Sequence, residues 1–308
     1  MLPANCTIQH TSYKLKLLGH EERNTIYSSL SAKKCLGASM KNSLLISIWA
    51  FFTITAGAQP ATYTNGKNEG EFKNGKKNGH GRAIYFDGSL YDGTWANDMR
   101  NGVGRAIFKD GSTYYGDWKD DKRQGRGNYE FQNGDKYVGQ FANNEMTGWG
   151  VYTFKNGNKY EGQIVAGIFT GRGSMHYAAG ELYEGNFLAG KKSGQGTYYY
   201  KNGEIYDGSF TDDKKDGFGK LSMPSGDKYI GEFKENMRSG KGTFYWANGD
   251  KYEGEFLNGQ MNGFGTFTWA DGEKYTGAWI YNMRDGQGTF KNKTGEEKML
   301  VFVNGRMQ

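Results

Sequence analysis

The sequence predicts an all-β protein, an elongated single-layer antiparallel sheet of ten β-hairpins with 23 residues each. Three observations predict this fold: a 23-residue period, four columns of glycine, and short segments in which rings alternate with polar residues. An imperfect unit opens at Asn68, and ten units run in phase without an insertion. With Tyr252 as position 1, tyrosine recurs in the same phase at Tyr91, Tyr114, Tyr137, Tyr160, Tyr183, Tyr206, Tyr229 and Tyr275.

Glycine occupies positions 3, 12, 14 and 21 of all ten units, which accounts for 40 of the 49 glycines. Glycine inside a strand normally weakens it, so a column of strand glycines needs a packing reason. We expect the strand glycines to lie on the same face as the rings and to leave room for a Tyr, Phe or Trp over bare backbone.

Each unit contains two segments with the period of a β-strand, as the unit 252–274 illustrates. The two segments are separated by Asn258-Gly259, and the unit ends with Asp271-Gly272. Both dipeptides favour turns because Asn and Gly accept a positive φ at low cost. A lone hairpin is marginally stable in water, so we expect each one to stack on its neighbours over roughly 95 Å. The predicted structural core of the repeat consists of Tyr252, Gly254, Phe256, Gly263, Gly265, Phe267, Trp269 and Gly272.

The motifs Y-E-G-x-F, N-G, G-x-G-T-F and x-D-G, at this spacing, resemble the MORN repeat over residues 68–297. The resemblance implies a sheet of hairpins that serves in scaffolding, protein docking and, in some members, association with membrane lipids. It implies no catalytic residues within the repeats.

Both ends of the repeat array depart from the pattern, as expected of caps. Residues 59–67 form a polar lead-in, and the first unit has Asn68 in place of tyrosine and Ala83 where six later units have a ring. In the C-terminal segment 298–308 we expect a closing strand with Phe302 buried and the edge left to Lys298 and Arg306. The sequence shows no second hairpin strand after it.

The segment 40–58 has the pattern of a secretory signal peptide. A short basic start at Met40 precedes an apolar run that begins at Leu44 and ends at Ala56, with small residues up to Ala58. Thirteen helical residues span about 20 Å, short of a bilayer core, so cleavage near Ala58 is favoured over an anchor. We expect a periplasmic, outer-surface or extracellular protein; the alternative is an uncleaved membrane anchor. Residues 1–39 are interpreted as a non-native extension upstream of the true start, or as a disordered tail.

Charge and cysteine content narrow the classes of partner. The chain carries a formal net charge of +6, but without residues 1–58 it has 33 basic and 31 acidic residues, or +2. A balanced surface gives no electrostatic footprint for nucleic acid or anionic lipid. Cys6 and Cys35 both precede the predicted cleavage point, so the mature chain is predicted to have no disulfide.

Apparent site motifs are better explained by the repeat, so no catalytic residue, cofactor or metal is predicted. Segment 185–191, GNFLAGK, resembles a phosphate loop but is followed by Lys192 where Ser or Thr is needed. His80 and His176 lie four units apart with no further ligand at metal spacing. The acids at position 2, such as Glu253, are expected to pair with Lys at position 23 of the preceding unit, such as Lys251.

Large rings on the opposite face are the candidate partner-binding residues. Position 13 is expected to point away from the aromatic face, and position 17 likewise. Exposed rings mark binding surfaces, although they also cover glycine columns or pack on Lys stems. The unit 160–182 is a further candidate, as a bend or docking spot, because Ile164 replaces a ring there. The candidates are Trp149, Phe218 and Phe264 at position 13, and Tyr199 and Tyr245 at position 17.

The sequence therefore predicts a non-catalytic, exported scaffold that binds one or more proteins of the cell envelope. One alternative is a carbohydrate-binding solenoid, since outward rings stack on sugars, and another is peripheral association with membrane lipid. A lipid-kinase function, which MORN repeats accompany in some enzymes, is not expected because no segment here resembles a catalytic domain.

Overall fold

The computed structural model describes residues 68–308, and these residues form one open, single-layer antiparallel sheet of 22 strands. Each strand pairs with the next one along the chain, from β1 to β22. The predicted all-β fold of stacked hairpins is confirmed. Residues 68–308 contain no helix, and therefore none long and apolar enough to cross a membrane.

The odd-numbered strands open the hairpins, and the even-numbered strands close them. The strands are β1 (Asn68–Lys73), β2 (Lys76–Ile84), β3 (Leu90–Ala96), β4 (Met99–Ile107), β5 (Thr113–Lys119), β6 (Lys122–Glu130), β7 (Lys136–Ala142), β8 (Glu145–Thr153), β9 (Lys159–Val165), β10 (Ile168–His176), β11 (Leu182–Leu188), β12 (Lys191–Tyr199), β13 (Ile205–Thr211), β14 (Lys214–Ser222), β15 (Lys228–Lys234), β16 (Met237–Tyr245), β17 (Lys251–Leu257), β18 (Gln260–Thr268), β19 (Lys274–Ile280), β20 (Met283–Lys291), β21 (Glu297–Val303) and β22 (Arg306–Met307).

Two kinds of turn alternate along the sheet. Inside a hairpin, a two-residue turn such as Asn258-Gly259 has φ of 50° and 85°, the conformation that suits a tight hairpin. Between hairpins, a five-residue loop follows Thr268, and within it the N–H of Gly272 donates to the carbonyl of Trp269 at 3.0 Å. Both dipeptides therefore lie at turns, as expected from their tolerance of positive φ.

The core is a continuous row of rings on one face, which we call the aromatic face (positions 1, 5, 10, 16 and 18). Tyr252 is fully buried, and its ring meets Phe256 of its own unit at 5.3 Å and Trp279 of the next unit at 5.2 Å, both edge to face. Such T-shaped pairs add stability beyond the buried area. Seven of the nine position-1 tyrosines bridge two units in this way, and the two exceptions, Tyr137 and Tyr160, adjoin Ile164, which replaces a ring.

The tyrosine ring lies over the glycines at positions 3 and 14 of its own hairpin, as the glycine columns predict. A Cβ at Gly254 would come within 2.5 Å of the Tyr252 hydroxyl, and a Cβ at Gly265 would collide with the same ring. Beyond the glycines, the Tyr252 hydroxyl donates to the carbonyl of Glu255 at 3.2 Å. Bare backbone thus makes room for the ring and also accepts its hydrogen bond.

The expectation that position-12 glycines share the face of the rings is wrong. The pairing register shifts between Gly254 and Phe256, so that three residues of β18 lie opposite Glu255 alone. This bulge puts Gly263 at φ 85°, and a Cβ on it would meet the Glu255 carboxylate on the opposite, outer face. The glycine is needed for its backbone conformation at a bulge, not as a platform for a ring.

The C-terminal segment forms the expected closing strand with one addition. β21 pairs with β20, and Phe302 is buried against Tyr275, their centroids 5.4 Å apart. A second strand does follow, contrary to expectation: β22 pairs Met307 with Phe302 and Arg306 with Val303. The turn Asn304-Gly305 has positive φ at both residues, and this turn geometry permits the short return strand.

The proposed extension 1–39, signal peptide 40–58 and lead-in 59–67, including Leu44, Ala56 and Ala58, lie outside the described residues.

Candidate binding surface

Position 13 follows the bulge glycine, and its side chain points to the outer face (positions 2, 4, 6, 13, 15 and 17). Trp149, Phe218 and Phe264 are 51%, 63% and 61% exposed there. The glycine at position 14 faces the tyrosine ring, so the preceding side chain must emerge on the other side of the strand. The structure therefore places all three predicted rings in solvent, in one column that crosses the sheet.

Phe218 and Phe264 flank one groove on the outer face. The groove has a volume of about 490 Å³ and is lined by Ile230, Lys241 and Thr243 between the two rings. Its walls also include backbone of the strand glycines, where no side chain fills the space. The two rings are four strands apart, roughly 19 Å. This surface combines two apolar ends with a centre that carries both charges, since Glu255 also lines the groove and lies opposite Lys241 in the neighbouring strand.

Trp149 lies at the end of a second groove, which has a different chemical character. Its volume is about 510 Å³, and the other lining side chains include Glu161, Glu184, Asp207 and Arg172. The three acids occupy position 2 of successive units, so the repeat itself places them in a row. The structure does not bring Trp149 together with Phe218 and Phe264 in one groove.

The two candidate tyrosines at position 17 are less available than the rings at position 13. Tyr199 is 37% exposed and pairs across the sheet with Leu182 and Ile205. Tyr245 is half-buried, and the ammonium of Lys228 lies 4.3 Å from its ring centroid. Contact with the Lys228 side chain is enough to explain why a ring occupies position 245, so no binding partner is needed to explain Tyr245.

The irregular unit 160–182 keeps the pairing register of its neighbours. Ile164 is fully buried where other units have a ring, and Phe169 on the facing strand stacks on Tyr160 with centroids 3.9 Å apart. Phe169, at position 10, supplies the ring that is missing at position 5, where this unit has Ile164. The ladder in this unit matches that of regular hairpins, so the pairing gives no sign of a bend.

Two surface ion pairs join Lys at position 23 to the acid at position 2, as the repeat predicts, whereas most ion pairs of residues 68–308 join other positions. Lys159 contacts Glu161 at 3.1 Å and Lys251 contacts Glu253 at 2.5 Å, each pair within one strand. Exposed pairs of this kind contribute little to stability. The histidine at position 80 lies 3.6 Å from Asp92, and residues 68–308 hold no cluster of three metal-ligating side chains.

The phosphate-loop-like segment 185–191 begins in a strand and ends just after a hairpin turn. Gly185 lies in β11 opposite Gly196, and Ala189-Gly190 forms the two-residue turn. Lys191 pairs with Asp212 at 3.2 Å. A phosphate loop leads from a strand into a helix, and this segment leads into another strand.

A column of cations on the aromatic face was not anticipated from the sequence. Position 10 carries Lys or Arg in seven units, and these side chains lie over the rings. The Arg100 guanidinium is 4.2 Å from the Trp118 ring centroid, and Lys77 Nζ is 3.9 Å from that of Trp95. Burial lowers the pKa of Lys192 and Lys215 in the same column. The sequence contains a pattern that could have revealed these cations, namely the recurrence of a basic residue at position 10 of seven units: Lys77, Arg100, Arg123, Lys192, Lys215, Arg238 and Arg284.

Comparison with known proteins identifies the repeat. The family model described as MORN repeat matches ten consecutive segments between residues 69 and 296. No curated protein matches the chain.

The solved structures to which the chain is similar include a TCP domain, a TCP10 domain and a lyase. The TCP domain of Drosophila melanogaster SAS-4 (dCPAP), in complex with a proline-rich motif of Ana2, is 19% identical, with a TM-score of 0.34, over 50% of this chain and 87% of that one. The TCP10 domain of Danio rerio CPAP is 12% identical, with a TM-score of 0.36, over 71% and 97% of the two chains. A streptogramin B lyase is 9% identical, with a TM-score of 0.15, over 74% and 84%. Scores this low carry no argument about function.

Proposed function

The chain belongs to the MORN repeat family, and from this premise we propose that it is a non-catalytic scaffold whose outer face holds a protein partner. The repeats of this family are generally protein- or lipid-binding modules and are generally not catalytic. The rigid ladder of hairpins pre-orders the outer side chains, so that binding costs little conformational entropy.

The groove between Phe218 and Phe264 is the observation that supports this proposal. Phe218 and Phe264 are both more than half exposed, and large exposed aromatic side chains often mark a contact surface. Aromatic residues are also typical anchors of binding hot spots. The two phenylalanines do not stabilise the aromatic face, which lies on the other side of the sheet. Their position suits a partner with two apolar anchors and polar groups that reach Lys241 and Glu255.

The location of this function is part of the proposal. The signal-peptide pattern of residues 40–58 supports export, and an exported scaffold would find its partner among proteins of the cell envelope. N-terminal sequencing of the exported product tests this: Gln59 as the first residue supports cleavage near Ala58, and an intact Met1 contradicts it.

A carbohydrate ligand is the second candidate, supported by the groove at Trp149. There an exposed indole lies beside carboxylates and Asn186, a combination of stacking surface and hydrogen-bonding groups that suits sugars. The near-balanced charge of residues 59–308 argues against a third option, attraction to an anionic lipid surface.

Crosslinking capture from intact cells tests the protein-binding function. We expect Phe218→Ala and Phe264→Ala each to weaken capture of the envelope partner by about 1–3 kcal/mol. Val103→Ala is the matched control, since Val103 occupies the same column and is also exposed. Equal capture by wild type and both phenylalanine variants would reject this groove, and retention on purified envelope polysaccharide that is lost with Trp149→Ala would favour the carbohydrate alternative.

A further inference from the structure

The floor of the groove between Phe218 and Phe264 runs across the strands. Gly231, Gly242 and Gly254 lie in three successive strands, and each pairs directly with the next. Side chains alternate between the two faces of a strand, and a Cβ on any of these glycines would point toward the tyrosine rings of the aromatic face. The outer face is therefore left with a strip of bare backbone that is perpendicular to the strands.

The width of this strip favours an extended chain as its occupant. Lys241 and Thr243 flank Gly242 on the same strand, so their Cα atoms are two residues, or about 7 Å, apart. A helix with its side chains is about 10–12 Å wide and would rest on the rims without reaching the floor. An extended chain is about 5 Å across, the spacing of neighbouring strands, and fits between the two walls.

One wall of the groove alternates in chemistry from strand to strand. Phe218 lies directly opposite Glu232 in the ladder, and Lys241 lies directly opposite Glu255. The Glu232 carboxylate accepts the backbone N–H of Lys241 at 3.3 Å, so these two residues are neighbours across adjacent strands. From β14 to β18 the wall is therefore apolar, acidic, basic, acidic and apolar, in the order Phe218, Glu232, Lys241, Glu255 and Phe264.

The charged side chains of this wall are available to a ligand. Glu232, Lys241 and Glu255 are all exposed. Within residues 68–308, none of these three side chains takes part in an ion pair. Because two carboxylates flank a single ammonium, the wall complements a ligand that carries basic groups.

We propose that the groove binds an extended segment of the partner protein, with the pattern apolar-x-basic-x-basic-x-apolar. This inference rests on the proposed function and specifies the segment that the partner contributes. The two rings are four strands, or about 19 Å, apart, a distance that an extended chain covers in about six residues. Residues i and i+6 point to the same side of an extended chain, so both apolar side chains would contact a ring.

The two basic residues of the segment match the two carboxylates of the wall. Residues i+2 and i+4 lie about 6.6 and 13.2 Å along an extended chain, and the strands of Glu232 and Glu255 lie about 4.8 and 14.4 Å from that of Phe218. Each basic side chain would therefore come within about 2 Å of the level of one carboxylate. The strand of Lys241 lies midway between them, where the ammonium can donate to a backbone carbonyl of the segment.

Glycine-selective NMR of the full chain tests the segment directly. The probe is the peptide acetyl-Leu-Thr-Lys-Thr-Lys-Thr-Leu-amide, and we expect it to shift the amide signals of Gly242 and Gly254 in a saturable way. The isomer acetyl-Leu-Thr-Lys-Thr-Lys-Leu-Thr-amide has the same composition, but its second leucine points to the other side of an extended chain. We expect the isomer to bind roughly fivefold more weakly, because it buries one apolar side chain fewer. Gly111, in a loop outside the groove, is the internal control.

Further comparisons test the charge pattern and the location. Replacing both lysines of the peptide by glutamate should weaken binding at least about tenfold, because like charges would then face each other. Phe264→Ala should weaken binding of the lysine peptide roughly fivefold, since one apolar anchor loses its ring. Trp149→Ala, in the other groove, should leave the Gly242 shift unchanged.

The outcomes distinguish this inference from the proposed function. Equal affinity for the two isomers, or no Gly242 shift with either, would overturn the extended segment, and equal affinity for the lysine and glutamate peptides would overturn its basic pattern. If crosslinking capture still depends on Phe218 and Phe264 in those cases, the proposed function stands and the partner binds by another kind of surface. If capture does not depend on the two phenylalanines, the proposed function fails, and this inference fails with it.

Discussion

On the aromatic face, Phe256 is buried between Tyr229 and Tyr252, whereas Phe264, eight residues later on the outer face, is 61% exposed. The buried column holds a ring or Ile164 in every unit, because each ring contacts the tyrosines of two hairpins. The exposed column is His, Val, Arg, Trp, Gln, Phe or Lys from unit to unit. Residues that the fold requires must occur in every unit. Residues that vary from unit to unit are not required by the fold, so they can be suited to a ligand.

The two faces also treat cations differently. On the aromatic face, Arg238 lies 5.0 Å from the Phe244 ring centroid, with its guanidinium held by a carbonyl. Burial lowers the pKa of the Arg238 guanidinium as a consequence. On the outer face, Lys241 is exposed between two rings that it does not cover. The first cation is part of the stack, and the second is available to a partner.

Alkaline pH should produce the largest effect, because it acts on the whole aromatic face. Burial raises the pKa of all nine position-1 tyrosines above the usual 10.0, to about 12 for Tyr137, Tyr160, Tyr183 and Tyr252. A pKa raised in the folded state stabilises below the unfolded value and loses that contribution as pH rises through the folded value. We therefore expect stability to fall steadily above pH 10 and the sheet to unfold near pH 12.

Urea melts followed by circular dichroism across this pH range measure the effect. The buried lysines of position 10 oppose it, because their lowered pKa makes deprotonation stabilising as pH approaches 10.5. The nine tyrosines outnumber these lysines, so we expect the net effect of rising pH to be a loss of stability. Stability that is constant between pH 9 and 12 would show that the phenols are not desolvated in the folded chain.

Gly254→Val should produce the largest loss among single substitutions. Its side chain would be forced against the Tyr252 hydroxyl and the Gly265 backbone, so we expect a loss of about 3 kcal/mol. Gly272→Ala is the control: a Cβ there meets nothing within 4 Å, and only the strain of φ 95° remains, about 1 kcal/mol. Similar urea midpoints for the two variants would contradict the ring-over-glycine packing.

A smaller effect separates two tyrosines of the same column. The Tyr252 hydroxyl donates to a carbonyl, whereas the buried hydroxyl of Tyr275 has no partner in the described part of the chain. Tyr252→Phe should cost about 1 kcal/mol, and Tyr275→Phe should be neutral or slightly stabilising. Equal losses in chemical denaturation would mean that Tyr275 has a hydrogen bond in solution.

The regular part of the fold was predictable because every unit repeats it. Strand alternation indicated the hairpins, and the coincidence of glycine and tyrosine columns predicted that rings cover bare backbone, as Tyr252 does over Gly254 and Gly265. Asn258-Gly259 predicted a turn because few other residues adopt two positive φ values in succession.

The rest depends on geometry that alternation does not encode. The bulge at Gly263 shifts one strand against the other, so counting from Gly265 in steps of two assigned Gly263 to the wrong face. The position-10 cations were overlooked because a basic residue next to a turn usually indicates solvent, and only the ladder places Arg100 over Trp118. The grooves depend on which side chains meet across four strands, and that follows from the register.

The most direct test compares the melting of Phe256→Ala with that of Phe264→Ala. It asks whether the aromatic face stabilises the fold while the outer face is free to bind a partner. Both substitutions remove the same ring from the same unit, so they differ only in the face that they affect. We predict a loss of about 3 kcal/mol for Phe256→Ala, and a change within about 0.5 kcal/mol for Phe264→Ala. If Phe264→Ala melts as early as Phe256→Ala, the outer rings support the fold, and their assignment to a partner is wrong.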